Sequence, residues 1–263
     1  MTSDNRVTGE PTADELATVA ARVLPLLDLT SLGDDDTPGD IERLCSAAPT
    51  PAGPVASVCV WPRFVAQSVE LLAGTGIPVA AVANFPDGDD DDHRARADAA
   101  AIVAAGGAEV DVVVPWRRLA IGDDAAVTRL VAATRAEIGN DIVLKAILET
   151  GELDDDELAA RAGRAALAGG ADFLKTSTGK TARSATPEAA MALLAVLTEP
   201  GAMPTDRGRP IGLKVSGGVG TAAEAATYLA MADGAFGDDA VGPATLRFGA
   251  SRLLADLLAR LGH

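Results

Sequence analysis

The chain has 263 residues, 48% hydrophobic but only 3% aromatic, and a formal net charge of −16. Its length and apolar share suffice for a globular core of aliphatic side chains, while its acidity argues against nucleic acid or an anionic membrane as partner, since both repel a polyanion. Two cysteines, Cys45 and Cys59, offer neither a disulfide framework nor a metal spacing, and no apolar run reaches the ~18 residues of a membrane span, which points to a soluble protein of the reducing cytoplasm.

Residues 1–10 are polar and read as a disordered tail, leaving 11–263 as one domain with no linker or compositional break. A helical pattern through Leu16, Val19, Ala20 and Val23 leads to a first strand over Leu24 to Thr30. One unit then recurs: an apolar strand, a turn and an Ala/Leu-rich helix. The strands fall at Val55 to Val60, Val79 to Ala83, Glu109 to Val114, Ile142 to Leu148, Asp172 to Thr176, Ile211 to Val215 and, more weakly, Thr245 to Phe248. Helices follow over Phe64 to Leu72 and about 91–105, 123–138, 155–168, 187–197, 222–232 and 252–261. Acidic runs at Asp34 to Asp36, Asp89 to Asp92 and Asp154 to Asp156 precede expected helix starts, where the dipole favours them.

Strands alternating with helices eight times predict parallel pairing with right-handed crossovers, and eight units close most naturally into a (β/α)₈ TIM barrel, here with an extra N-terminal helix. An open doubly wound sheet is the alternative. Against it, the first strand-to-helix turn lacks a G-x-G-x-x-G run, and glycine turns cluster after strands six to eight instead.

Of 22 basic residues only four are lysines: Lys145, Lys175, Lys180 and Lys214, all in strand-end segments. A guanidinium stays protonated in proteins, whereas an ammonium in a pocket can lose its proton and attack a carbonyl. Lys175 ends an apolar strand in ADFLKTSTGK and is followed by the small-residue turn Thr176 to Gly179, whose amides can hold phosphate. Lys214 ends a second strand in PIGLKVSGG. On neighbouring strands the two ammonium groups would repel by about 3 kcal/mol at an effective dielectric of about 20, enough to bring a free amine towards neutral pH. Such an amine is what a Schiff base requires.

Asp111 lies mid-strand among valines, where an unpaired carboxylate is costly, so it reads as partner to these amines or as a proton carrier. Lys145 and Glu149 share a strand face and are expected to complete one buried charge network, with Asp28 orienting groups from the opposite wall, and Asp28 and Lys145 are also expected to take part in binding the substrate. Barrel enzymes often hold phosphate in the loops after the last strands. Gly179 and Lys180, Gly217 and Gly218, and the Gly249-Ala250-Ser251 turn are therefore expected to converge on one phosphate corner, with Thr30 and Thr178 beside it. The two histidines, His93 and His263, stand apart from any strand-end motif, so no metal is expected.

The segments LLDLTSLGDDDT, VCVWPRF, EVDVVVPWRRL, LKAILETGEL, GADFLKTSTGK, ATPEAA, GLKVSGGV and FGASRLLADLL together resemble bacterial deoxyribose-phosphate aldolases, over about Leu24 to His263. The resemblance implies a class I, metal-free and cofactor-free lyase in a (β/α)₈ barrel, dimeric in many members. It would cleave 2-deoxy-D-ribose 5-phosphate reversibly to D-glyceraldehyde 3-phosphate and acetaldehyde. It makes Lys175 the Schiff-base lysine, Asp111 the proton carrier and Lys214 the second lysine that perturbs the first. Departures are Gly220 where the family has arginine, Asp87 where it has histidine, Arg252 after Ser251 in place of a second serine, and an end at His263 without a tyrosine-bearing tail. From the residues alone, a sugar-phosphate isomerase using Asp111 or Glu149 as base, or a barrel that only binds a phosphorylated ligand, stays open.

Overall fold

In the computed structural model, described for residues 11–153, 155–202 and 208–263, eight parallel strands pair around a closed ring. They are β1 (Leu27–Thr30), β2 (Ser57–Val60), β3 (Val79–Ala83), β4 (Glu109–Val113), β5 (Val143–Ile147), β6 (Phe173–Lys175), β7 (Gly212–Ser216) and β8 (Leu246–Ala250). Each strand pairs with the next in the chain and β8 returns to β1, as a (β/α)₈ barrel requires. The expected tail, residues 1–10, lies outside the described residues.

Helix α1 (Ala13–Val23) precedes the barrel and packs on α9 (Ala222–Phe236) and α10 (Leu253–Arg260). Around the ring come α2 (Pro38–Ala47), α3 (Val65–Leu71), α4 (Asp92–Ala104), the short α5 (Trp116–Leu119), α6 (Asp124–Ile138), α7 (Asp156–Ala168) and α8 (Pro187–Leu197). Their starts follow from local chemistry. Thr12, Thr37 and Thr221 each close a capping box with the acid three residues on, an arrangement that typically contributes about 1 kcal/mol. Asp91 and Asp155 cap α4 and α7, as their acidic runs suggested. The Asp34 to Asp36 run does not: Thr37 caps α2, and Asp36 instead accepts from Ser31 Oγ (2.8 Å) and the Gly33 amide (2.9 Å), shaping the loop after β1.

Two strand assignments shift. Leu24–Leu26 forms a 3₁₀ turn, because Pro25 withholds an amide from any ladder, so β1 begins at Leu27. Gly249 and Ala250 belong to β8, paired with Asp28 and Leu29, and are not a turn. Gly249 is needed for close approach: a Cβ there would lie 2.3 Å from Ser216 Oγ and 3.0 Å from Lys214 Cε.

Aliphatic side chains fill the shell between strands and helices, including Val110, Leu144, Leu174 and Leu213 from the outward faces of the strands. Inside the barrel a small apolar cluster of Cys59, Ala80, Val82, Phe85, Val113 and Ile147 occupies the side of β2 to β5. The remaining interior is charged.

Candidate active site

Strand register gathers that charge. Asp111 of β4 is level with Lys145 of β5, Lys175 of β6 with Lys214 of β7, and Lys214 with Arg247 of β8. All of them point inward, because alternate residues of each strand do so. The Asp111 carboxylate sits at the centre: its Oδ2 accepts from Lys175 Nζ (2.8 Å) and Lys214 Nζ (2.7 Å), and its Oδ1 from Lys145 Nζ (2.8 Å). Asp28 pairs with Lys214 (2.6 Å) and Arg247 (2.5 Å), and Glu109 with Lys145 and with Arg247 (3.1 Å).

Four cations thus face three carboxylates in a space closed to solvent. Burial opposes charge on every one of them, and neighbours decide the outcome. For Asp111 burial is outweighed by Lys145, Lys175 and Lys214, which hold it well below the usual carboxylate range. Asp28 is likewise held low against burial by Lys214, Arg247 and Lys145. Lys145 and Lys214 stay charged: burial is the largest single influence and pushes both down, but Asp111, Glu109 and Asp28 together outweigh it at Lys145, as Asp111 and Asp28 together do at Lys214, so both lie above an ordinary lysine. Lys175 goes the other way: burial, aided by Lys214, outweighs its one carboxylate, Asp111, and lowers it. The inter-lysine repulsion expected from sequence therefore exists, but burial is the larger cause.

Above this network lies a cavity of about 420 Å³, lined at its floor by Lys175 and around it by Thr30, Gly179, Lys180, Gly217, Gly218 and Ser251. Gly179, Gly217 and Gly218 take φ of +77°, +82° and +81°, a left-handed backbone that glycine adopts freely. Among the described residues no hydrogen bond engages the amides of Gly179, Gly218 or Val219, whereas the pairing of Ser216 with Gly249 directs the Gly217 amide at the Gly249 carbonyl. Arg252 also lines the cavity, whereas Lys180 is tied to Asp34 (2.7 Å).

Several expected roles are displaced. Asp28 and Lys145 do not line the cavity; both are fully enclosed in the ionic network beneath it. Thr178 lines the cavity, but its hydroxyl donates to Glu149 Oε2 (2.5 Å) and its amide to Glu149 Oε1 (3.2 Å), so those donors are spent. Glu149 itself is absent from the lysine network. Strand β5 ends at Ile147, and Glu149 adopts left-handed backbone (φ +52°), which turns its side chain out of the alternation assumed for it. Sequence reading missed Arg247 and Glu109. Arg247 carried a signal like that of Asp111, a charge between apolar neighbours in a strand. Among the described residues no group of three or more His, Cys, Asp or Glu side chains is placed to hold a metal ion, and no helix is long and apolar enough to cross a membrane.

The architecture has close counterparts. A presumed deoxyribose-phosphate aldolase from Toxoplasma gondii ME49 matches with a TM-score of 0.87 at 27% identity, over 95% of this chain and 97% of that one. Another presumed deoxyribose-phosphate aldolase, from Coccidioides immitis, matches at 0.75 and 25% identity, over 94% and 87% of the two chains. A tetrameric deoxyribose phosphate aldolase from Aeropyrum pernix, at 22% identity, shares the fold at a TM-score of 0.69, over 96% and 99% of the two chains. Residues 22–259 match the family model of the DeoC/LacD family aldolases, and the chain belongs to that family.

Proposed function

We propose that this aldolase acts through a Schiff base on Lys175, reversibly cleaving 2-deoxy-D-ribose 5-phosphate to D-glyceraldehyde 3-phosphate and acetaldehyde. One observation carries the reading: of the four interior cations only Lys175 lines the cavity, and it is the one whose charge the surroundings disfavour. A neutral amine there can add to the substrate aldehyde, and loss of water leaves an iminium. Removal of the C3 hydroxyl proton then breaks the C2–C3 bond. The electron pair enters the iminium to give an enamine, and the C3 oxygen becomes the aldehyde of glyceraldehyde 3-phosphate. Protonation of the enamine carbon and hydrolysis release acetaldehyde.

Asp111, in hydrogen-bond contact with the amines of both Lys175 and Lys214, would carry protons in these steps, and Lys145 together with Lys214 would keep it ionised. The uncommitted amides of Gly179, Gly218 and Val219 would receive the phosphate, and Arg252 supplies positive charge at the same corner. The names of the Toxoplasma and Coccidioides proteins support this substrate.

Borohydride added with acetaldehyde should leave an ethyl group on Lys175, read by peptide mass spectrometry. Lys175→Ala should abolish both the adduct and the release of glyceraldehyde 3-phosphate, a loss on the order of 10⁴-fold or more for a covalent nucleophile. Active enzyme with an unmodified Lys175 would sink the reading.

A further inference from the structure

One buried acid stands at the anion corner without belonging to the lysine network. Glu149 is 1% exposed, and its carboxylate accepts from the Thr178 amide (3.2 Å) and the Thr178 hydroxyl (2.5 Å), with the Thr181 hydroxyl, which also donates to the Arg183 carbonyl (2.9 Å), 3.4 Å away. The Thr178 hydroxyl accepts in turn from the Lys180 amide (3.0 Å). A single carboxylate thus stitches the loop from Thr178 to Thr181 onto the end of β5. In the stretch from Thr178 to Lys180 the Gly179 amide alone is left without a hydrogen bond among the described residues, and Gly179 packs beside Gly217, whose added Cβ would stand 3.7 Å from the Gly179 Cα.

Placing an acid beside an anion site is unfavourable unless the acid holds something in place. Here the backbone adds to the cost, since a non-glycine residue in left-handed conformation is strained. That strain turns the carboxylate towards the loop.

We infer that Glu149 is a positioning residue: it touches no substrate, but fixes the loop that presents Gly179 and Lys180 to the phosphoryl group, and so sets preference for phosphorylated over unphosphorylated substrate. The inference rests on the proposed reaction for its kinetic readout, but not for its binding readout.

Glu149→Gln keeps the size of the side chain and turns one acceptor into an amide that opposes the Thr178 donors. It should raise KM for deoxyribose 5-phosphate about tenfold with kcat within about twofold, while kcat/KM for unphosphorylated 2-deoxyribose stays within about twofold, a loss of uniform binding to one end of the substrate. The affinity for inorganic phosphate, read from its stabilisation of the protein in thermal unfolding, should fall by the same factor. Equal losses on both substrates would make Glu149 merely structural and overturn the inference, as would unchanged phosphate binding. Should the wild type cleave neither substrate, the proposed reaction fails, and the phosphate titration of wild type against Glu149→Gln still decides the role of Glu149.

Discussion

The lower interior of the barrel and its mouth are built on opposite plans. Below, Lys145, Lys214 and Arg247 each meet two or more carboxylates and none reaches the cavity. At the mouth, the amides of Gly179 and Gly218 border the cavity and lack partners among the described residues. The closed layer fixes charge in place; the open one waits for a charge to arrive. Lys175 sits at the boundary, with one carboxylate from the layer below and the cavity above. Its position, more than its identity as lysine, makes its amine chemically available.

The contrast can be broken from below. Lys145→Met would leave Asp28, Glu109 and Asp111 buried with one counter-charge fewer, and breaking a buried ion network from one side costs about 3–5 kcal/mol. Denaturant unfolding should show that loss, and a change under about 1 kcal/mol would mean the network is not closed in solution. Breaking the mouth should be milder and confined to binding. Gly217→Ala forces a side chain into φ +82° and within 2.6 Å of Ser184 Oγ, at about 1–2 kcal/mol of strain, so phosphate affinity should fall about tenfold with the fold intact. Isothermal titration with phosphate checks this.

The boundary is sharpened by pH. Lys175 is lowered from the ordinary lysine value, so its neutral form grows as pH rises through that lowered value, and kcat/KM should reach its plateau below the range of a free lysine. Lys214 contributes to the lowering; in Lys214→Met the residual activity should therefore have its limb at higher pH. A limb that stays put would remove Lys214 from that role.

Much of this was legible before any coordinates. Short, near-continuous apolar runs separated by Ala/Leu-rich helices pointed to the barrel, because parallel strands buried on both faces read that way. Asp111, Lys175 and Lys214 stood out as charges where apolar residues belong. Glu149 was misplaced because alternation of faces holds only inside a strand, and nothing local announces that β5 ends two residues earlier. Gly249 looked like a turn because a glycine that makes room for a neighbour's side chain and one that bends the chain are written with the same letter. Which strand-end residues reach the cavity and which stay beneath it depends on strand stagger, and one-dimensional reading of Asp28 and Lys145 could not supply that.

The unequal count of interior charges reaches beyond the reaction. With every group of the lysine network ionised, four cations would face three carboxylates, and a neutral Lys175 restores balance within it. Between the lowered value of Lys175 and that of an unfolded lysine, this side chain holds one proton fewer in the native chain than in the denatured one. At this position collapse into the barrel therefore expels a proton to the buffer, and the contribution of Lys175 to the fold grows with alkalinity by the same linkage that readies the amine.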